Sequence, residues 1–384
     1  MKTHFNHIKV AGFRRLKNID IDLRPLCVLI GTNGVGKTSF LDVMALLAAS
    51  AEGKLNAFVT ENSGLSSMIT CDYAQRLDIS LSMQIEGYEP LVYELSMAPT
   101  GLAYTIEQER LTQQRKSKEI EPFMHINSKR TDIKYYETDT RKLMRPTWEH
   151  TPLESSLSQV PKMYKEPELF RRALGSSTFY HVLDVAPRSP VRLPQAMRPA
   201  GLPGKDGEDL VTCLYYLRET DRDRFDAVED TLRAAFPSFE RLDFPPVAAG
   251  TLTLAWKDRN FSRPMYAHQL SEGTLRFLWL VTLLQSPQLP AVTLIDEPEV
   301  SLHPEMLRIL AGLLREASQR TQLIIATHSD RFVRFLQPSE LVAMDTTEEG
   351  NASMTWADSL DLEKWIAEYS LDELWRMGRL GGRS

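Results

Sequence analysis

Between residues 19 and 30 the chain passes from alternating to continuous hydrophobicity. Ile19, Ile21 and Leu23 alternate with Asp20 and Asp22, the period of a strand with one face in a core. Leu26-Cys27-Val28-Leu29-Ile30 has no polar position, and such a run suits a strand covered on both faces. A glycine-rich turn follows. Phe40, Leu41, Met44, Leu47 and Ala48 then recur at helical spacing, with Gly53 as the stop signal.

From about Leu77 to Ile106 the period changes to two. Leu77, Ile79, Leu81, Met83 and Ile85 alternate with polar neighbours, and so do Leu91 to Met97 and Leu102 to Ile106. Breaks at Gly87 and Pro99-Thr100-Gly101 make an antiparallel meander the simplest arrangement. Residues 107–170 lose the period and carry 12 basic and 11 acidic side chains, a near-balance that reads as a solvated insertion or loop. Proline and glycine cluster over 186–207, before helical stretches at Asp209–Arg218 and Asp221–Phe236. Ala291–Ile295 and Leu323–Ala326 are short buried strands flanking a helix from Pro304 to Ser318, and Leu341–Met344 is one more strand before terminal helices.

This alternation predicts an α/β fold: a mostly parallel core sheet, an antiparallel β lobe and a helical lobe. Residues 1–106 form an N-terminal half, 107–205 a polar insertion and connection, and 206–384 the second half of one head.

The 384 residues are 42% hydrophobic, enough for a sizeable core. A net charge of −6 excludes a uniformly basic nucleic-acid-binding surface and leaves only local basic patches. Cys27, Cys71 and Cys213 form no CxxC pair, which argues against a disulfide framework or a zinc site. There is no 18-residue apolar run, and the first residues lack the apolar core of a signal peptide. A cytoplasmic protein with no membrane segment is expected.

Gly31-Thr32-Asn33-Gly34-Val35-Gly36-Lys37-Thr38 matches GxxxxGK[ST] between a buried strand and a helix, where a phosphate cradle works. Gly31, Gly34 and Gly36 let backbone N–H groups converge on phosphate oxygens, with Asn33 and Ser39 in the same cradle. Lys37 would reach the β and γ phosphates of ATP, and Thr38 would ligate Mg2+. Leu294-Ile295-Asp296-Glu297-Pro298 ends a buried strand in two carboxylates. Asp296 suits the metal and Glu297 the polarisation of an attacking water. His328 ends the next strand in Ala326-Thr327-His328-Ser329, where it either caps a helix or senses the γ-phosphate.

Leu270-Ser271-Glu272-Gly273-Thr274, in which Ser271 taken alone is an N-cap, resembles the LSGGQ-type signature of ABC ATPases. With the phosphate loop, the acidic strand, the D-loop-like Glu299-Val300-Ser301-Leu302-His303 and His328, five motifs stand in that superfamily's order. Gly12-Phe13-Arg14-Arg15-Leu16-Lys17-Asn18, Ile295 to Pro304 and Ala326 to Ser329 are similar to the soluble RecF- and OLD-related branch, and the ending Tyr369–Trp375 followed by Gly378–Gly382 resembles a compact set of bacterial predicted ATPases within it. That resemblance implies an ATP hydrolase in which two copies sandwich ATP. Ser271 and Gly273 of one protomer would then complete the site on the phosphate loop of the other, as a homodimer or higher oligomer. The family's glutamine loop implies a glutamine on Mg2+ and water. Gln159 is the candidate, in competition with Gln75 and Gln84. Arg14 or Arg15 is a candidate for packing on adenine.

No heptad pattern lies between Thr38 and Ser271, so the long coiled coil of chromosome-structuring relatives is not expected. No acidic nuclease constellation follows His328. The reading is therefore a nucleotide switch for a separate effector, a nuclease or toxin, in anti-phage defence or DNA repair. The alternative is a RecF-type repair clamp acting directly on DNA through Arg171, Arg172, Arg188, Arg192 and Arg198. A transport-associated ATPase fits the β meander less well.

Overall fold

The computed structural model describes residues 3–101, 103–114, 121–138, 140–347, 350–360, 365 and 369–380. Leu102 of the meander, Gly381 and Gly382 of the C-terminal motif, and most of the segment between Leu360 and Tyr369 lie outside them.

Strands β1 (Thr3–Phe13), β2 (Leu16–Asp22) and β3 (Leu26–Ile30) lead into helix α1 (Lys37–Glu52). β1 escapes the sequence pattern because its register shifts between Phe5 and His7, so the buried positions run Phe5, Ile8, Val10 rather than in strict alternation. After short helices α2 (Leu55–Glu61) and α3 (Leu65–Met68) come β4 (Leu77–Ile85), β5 (Tyr88–Thr100) and β6 (Ala103–Gln113). The expected meander is present, and it is larger than expected. β7 (Phe123–Ser128), β8 (Tyr135–Glu137) and β9 (Lys142–Met144) extend it into an eight-stranded sheet of order β2-β1-β4-β5-β6-β7-β8-β9.

Residues 107–170 are thus not simply a solvated loop. A bulge pairs Ser96 with Gln108 but Met97 with Ile106, and that one extra residue turns Glu109 inward. Glu109 is fully buried. It accepts from Tyr93 Oη at 2.9 Å, the Ser156 amide at 2.5 Å and the Leu157 amide at 2.8 Å, which satisfies the start of helix α4 (Ser156–Gln159). Helix α5 (Lys165–Gly175) follows and packs on α1.

The second sheet has the order β10-β16-β17-β3-β18-β19, from β10 (Thr178–Tyr180), β16 (Val292–Asp296), β17 (Gln322–Ala326), β18 (Leu341–Thr346) and β19 (Ala352–Trp356). All neighbours are parallel except β18 and β19. The unbroken apolar run of β3 has the expected explanation. Cys27 and Leu29 face the core shared with α1 and the eight-stranded sheet, while Leu26, Val28 and Ile30 face a second core.

That second core belongs to the helical lobe: α6 (Leu210–Thr220), α7 (Arg222–Ala235), α8 (Glu272–Gln285) and α9 (Pro304–Ala317), with α10 (Asp330–Val333) and α11 (Leu371–Arg376). Two small antiparallel sheets flank these helices. One pairs β11 (Gln195–Ala196) with β13 (Thr251–Leu252), and the other joins β12 (Phe239–Asp243), β14 (Ala255–Asp258) and β15 (Met265–Tyr266).

Candidate nucleotide site

Four parallel strands end at one edge of the second sheet, and each delivers a polar residue there. β3 ends in the glycine loop, β16 in Asp296 and Glu297, β17 in Thr327 and His328, and β10 in His181. In open α/β sheets the carboxyl ends of the strands are where ligands bind.

The glycine loop is built for close backbone approach. Gly31 has φ +152°, and a Cβ there would lie 2.3 Å from the Met344 carbonyl oxygen. Gly36, at φ +118°, is the N-cap of α1, so the helix starts with free amides facing out of the loop. Lys37 is buried and donates to the carbonyls of Gly31 at 2.6 Å and Thr32 at 2.9 Å, folded back on its own loop. Burial pushes its ammonium down to about 8, against the pull of the Asp296, Glu297 and Glu299 charges. Arg14, Arg15, Gly34, Thr38, Ser39 and His328 share with Gly36 and Lys37 a cleft of about 320 Å³. Arg14 is paired with Asp42 of α1. Asn33 is exposed at the loop tip.

Thr38 Oγ1 donates to Asp296 Oδ2 at 3.3 Å, joining the loop to the acidic strand. Burial, then the adjacent Glu297 charge, holds the Asp296 carboxyl above its ordinary value. Glu297 adopts φ +50°, an uncommon conformation for a non-glycine residue, and its amide donates to the Ala326 carbonyl at 2.9 Å. Its Oε1 lies 3.6 Å from His328 Nε2. Burial and the Lys37 charge lower the His328 pKa, with Glu297 opposing.

Two oxygen ligands from the protein suit Mg2+, which keeps waters and substrate phosphates in its shell. Among the described residues no cluster of three or more His, Cys, Asp or Glu is arranged to hold a metal by itself.

The signature residues stand apart from this cleft. Ser271 is the N-cap of α8, accepting from the Thr274 amide at 3.2 Å, and it is exposed. Gly273 faces the Ser301 carbonyl, where a Cβ would lie 2.4 Å from the oxygen. Neither residue lines the cleft of its own chain. The segment before Ser271 is fixed by Arg192, which donates to the carbonyls of Ala267, His268 and Leu270 at 3.0–3.3 Å.

Gln159 is not at the site. Its carboxamide accepts from the Thr151 amide at 2.7 Å and donates to the carbonyls of Thr151, Glu154 and Ser155. Ser155 and Ser158 of the same turn pack on Ser50 and Gly53, at the C-terminal end of α1. The 16 residues of α1 put the phosphate loop about 24 Å away. Gln84 serves the β4–β5 turn, donating to the Ile85 and Tyr88 carbonyls.

His181 stands where the glutamine was sought. β10 pairs with β16 as Thr178–Thr293, Phe179–Leu294 and Tyr180–Ile295, so the next residue comes level with Asp296, and both line one crevice with Glu297 and Arg276. A three-residue strand is too short to show a period. Glu299 was also missed as a site residue, although the acidic run Asp296, Glu297, Glu299 is visible in the sequence.

Three of the arginines considered for DNA are engaged within the chain. Arg171 pairs with Glu168 and caps the Ser158 and Val160 carbonyls, Arg192 holds the signature segment, and Arg198 binds both Asp209 oxygens at 2.7–2.8 Å. Among the described residues no helix is long and apolar enough to cross a membrane.

Comparison with known proteins places this geometry. The model of a family described as "AAA domain, putative AbiEii toxin, Type IV TA system" matches residues 26–334. Among solved structures, an SMC head bound to the C-winged helix domain of ScpA is 14% identical, with TM-score 0.56, over 92% of this chain and 97% of that one. The Pyrococcus furiosus Smc head with an extended coiled coil, bound to the C-terminal domain of ScpA, is 12% identical, with TM-score 0.56, over 96% and 100%. The Pyrococcus yayanosii Smc head with a coiled coil and joint is 11% identical, with TM-score 0.52, over 95% and 99%. At these identities the likeness is one of fold. No curated protein gives a significant match.

Proposed function

Since the chain belongs to this AAA-domain family and has the fold of an ABC-type ATPase head, we propose that it hydrolyses ATP and uses the bound nucleotide to close a homodimer that switches a separate effector. The observation that carries this reading is the division of the motifs. The phosphate loop, acidic strand and His328 meet at one sheet edge, while Ser271 is exposed and Gly273 half-buried outside that cleft, available to a second protomer's nucleotide.

Backbone amides of the glycine loop and the N-terminus of α1 bind the phosphates, and Lys37 leaves the Gly31 and Thr32 carbonyls to pair with them. Thr38 and Asp296 would hold Mg2+, which supplies neutralisation of the charge that develops on the phosphates. Glu297 accepts the proton of the attacking water, and His328, 3.6 Å away, donates toward the γ-phosphate. His181 is positioned to contact water on the Asp296 side. Ser271 and the N-terminus of α8 approach the γ-phosphate held by the partner, so cleavage removes what holds the dimer closed.

The motif order and endings support the RecF- and OLD-related branch, and hence a role in defence or repair through a partner nuclease or toxin. With Arg171, Arg192 and Arg198 engaged internally, a partner protein is a better recipient of the switch than DNA.

Glu297→Gln tests the reading. It should abolish turnover and accumulate an ATP-dependent dimer in size-exclusion chromatography with light scattering. Equal mass with and without ATP would overturn the switch.

A further inference from the structure

Glu299 lies on the loop between Glu297 and Ser301, and both of those residues have positive φ, at +50° and +64°. Such a loop needs fixing from outside if Glu297 is to keep one position. Glu299 supplies that contact to the neighbouring strand end. Its Oε1 accepts from Thr327 Oγ1 at 2.5 Å and from the His328 amide at 3.1 Å. The Glu297 amide reaches the same strand end through Ala326. The catalytic carboxylate and the histidine are therefore tied through a shared set of three hydrogen bonds, and 3.6 Å separates their side chains.

The other oxygen of Glu299 is unusual. Oε2 is buried and has no hydrogen-bond partner. Buried carboxyl oxygens are costly when unpaired, and a fold selected for stability alone would have little use for one here. Thr327, by contrast, is fully buried and well satisfied, since its hydroxyl also accepts from the Ser329 amide at 3.0 Å.

We propose that Glu299 is a positioning residue for ATP hydrolysis: it locks the Thr327-His328 turn against the Glu297 loop and so sets the geometry between base and histidine. This rests on the hydrolytic reading of the site above, but its structural half is independent of it. The residue acts through Glu297 and His328 rather than by touching the nucleotide, so it should affect kcat and leave KM nearly unchanged.

The test compares Glu299→Ala, Glu299→Gln and Thr327→Val in the full chain, with steady-state ATPase kinetics, thermal melting and the NMR signal of His328, assigned through His328→Gln. Glutamine keeps the Oε1 acceptor and removes the buried, unpartnered carboxyl oxygen. Glu299→Ala should lower kcat about 100-fold with KM within about threefold, and should shift the His328 signal in nucleotide-free protein. Glu299→Gln should restore the His328 signal and most of the rate, with a melting temperature equal to or above that of the parent. Thr327→Val, which loses one of the two bonds to Glu299 together with the acceptor of the Ser329 amide, should fall between. If the parent hydrolyses no ATP, the hydrolytic reading fails, and the His328 signal still decides the positioning role. An unchanged signal and rate in Glu299→Ala, or a Glu299→Gln protein that melts lower with no separation of kcat from KM, would overturn the proposal.

Discussion

Arg276 donates to Ser301 Oγ at 2.5 Å, which ties the N-terminal half of the signature helix to the loop beyond the acidic strand. The same guanidinium donates from Nε to the Leu183 carbonyl at 3.2 Å, two residues past His181. One side chain thus joins the start of the signature helix with the sheet edge that carries the acidic strand, which in the proposed dimer are the surface offered to a partner and the edge that binds the chain's own nucleotide. Arg276→Ala removes both bonds at a largely buried position and should cost about 1–3 kcal/mol in urea denaturation. The proposed ATP-dependent dimer should weaken more than nucleotide binding to the monomer, measured by a fluorescent ATP analogue. Arg276→Lys should not restore the dimer, because an ammonium cannot span both acceptors as the guanidinium fork does.

Nucleotide affinity should depend on pH through Lys37. In the ligand-free protein its ammonium is pushed down to about 8, and phosphate bound beside it favours the charged form. Binding therefore takes up a proton wherever the free side chain is neutral. Affinity for a non-hydrolysable ATP analogue should be flat below about pH 8 and fall by up to about tenfold per pH unit above it. Isothermal titration at pH 7, 8 and 9 checks this. Lys37→Ala should weaken binding about 10- to 100-fold at pH 7 and abolish that slope.

The buried Glu109 predicts a stability effect far from the nucleotide. Glu109→Ala leaves Tyr93 Oη and the amides of Ser156 and Leu157 without their acceptor, and should cost about 1–3 kcal/mol for each donor left unsatisfied. Burial raises the folded-state pKa above the ordinary 4.5, so the fold favours the protonated acid. The stability this contributes is full below pH 4.5 and is lost as pH rises through the folded-state value. Glu109→Gln does not titrate, so its deficit relative to the parent should be smaller at pH 8 than at pH 5 in urea denaturation.

Gln159→Ala separates fold from chemistry. The carboxamide holds the Thr151 amide and three carbonyls of the 151–155 turn. Its loss should lower stability by about 1–2 kcal/mol by thermal or urea denaturation. Steady-state kcat and KM for ATP should stay within about twofold of the parent, since α1 separates this turn from the phosphate loop by about 24 Å.

The residues whose chemistry depends on local sequence were legible in the chain. Gly31 to Thr38 form a cradle because glycine spacing, a preceding buried strand and a following helix are all local properties. Asp296, Glu297 and His328 were found because each ends an unmistakable apolar run. The two-faced burial of β3 was likewise written in its uninterrupted hydrophobicity.

Tertiary structure decided the rest, because register and sheet order join segments that have no relation along the chain. Gln159 looked as plausible as any glutamine until α4 was found against the wrong end of α1. His181 gained its place from three parallel pairs between β10 and β16, more than 110 residues apart. A single bulged residue in β6 reversed the inward parity and buried Glu109 within a stretch whose charge reads as solvated. Hydrophobic periodicity records which face a residue presents to its own element. It carries no information about which distant strand lies beside it, and the hydrogen bonds of Glu299 and Arg276 are fixed by that neighbour.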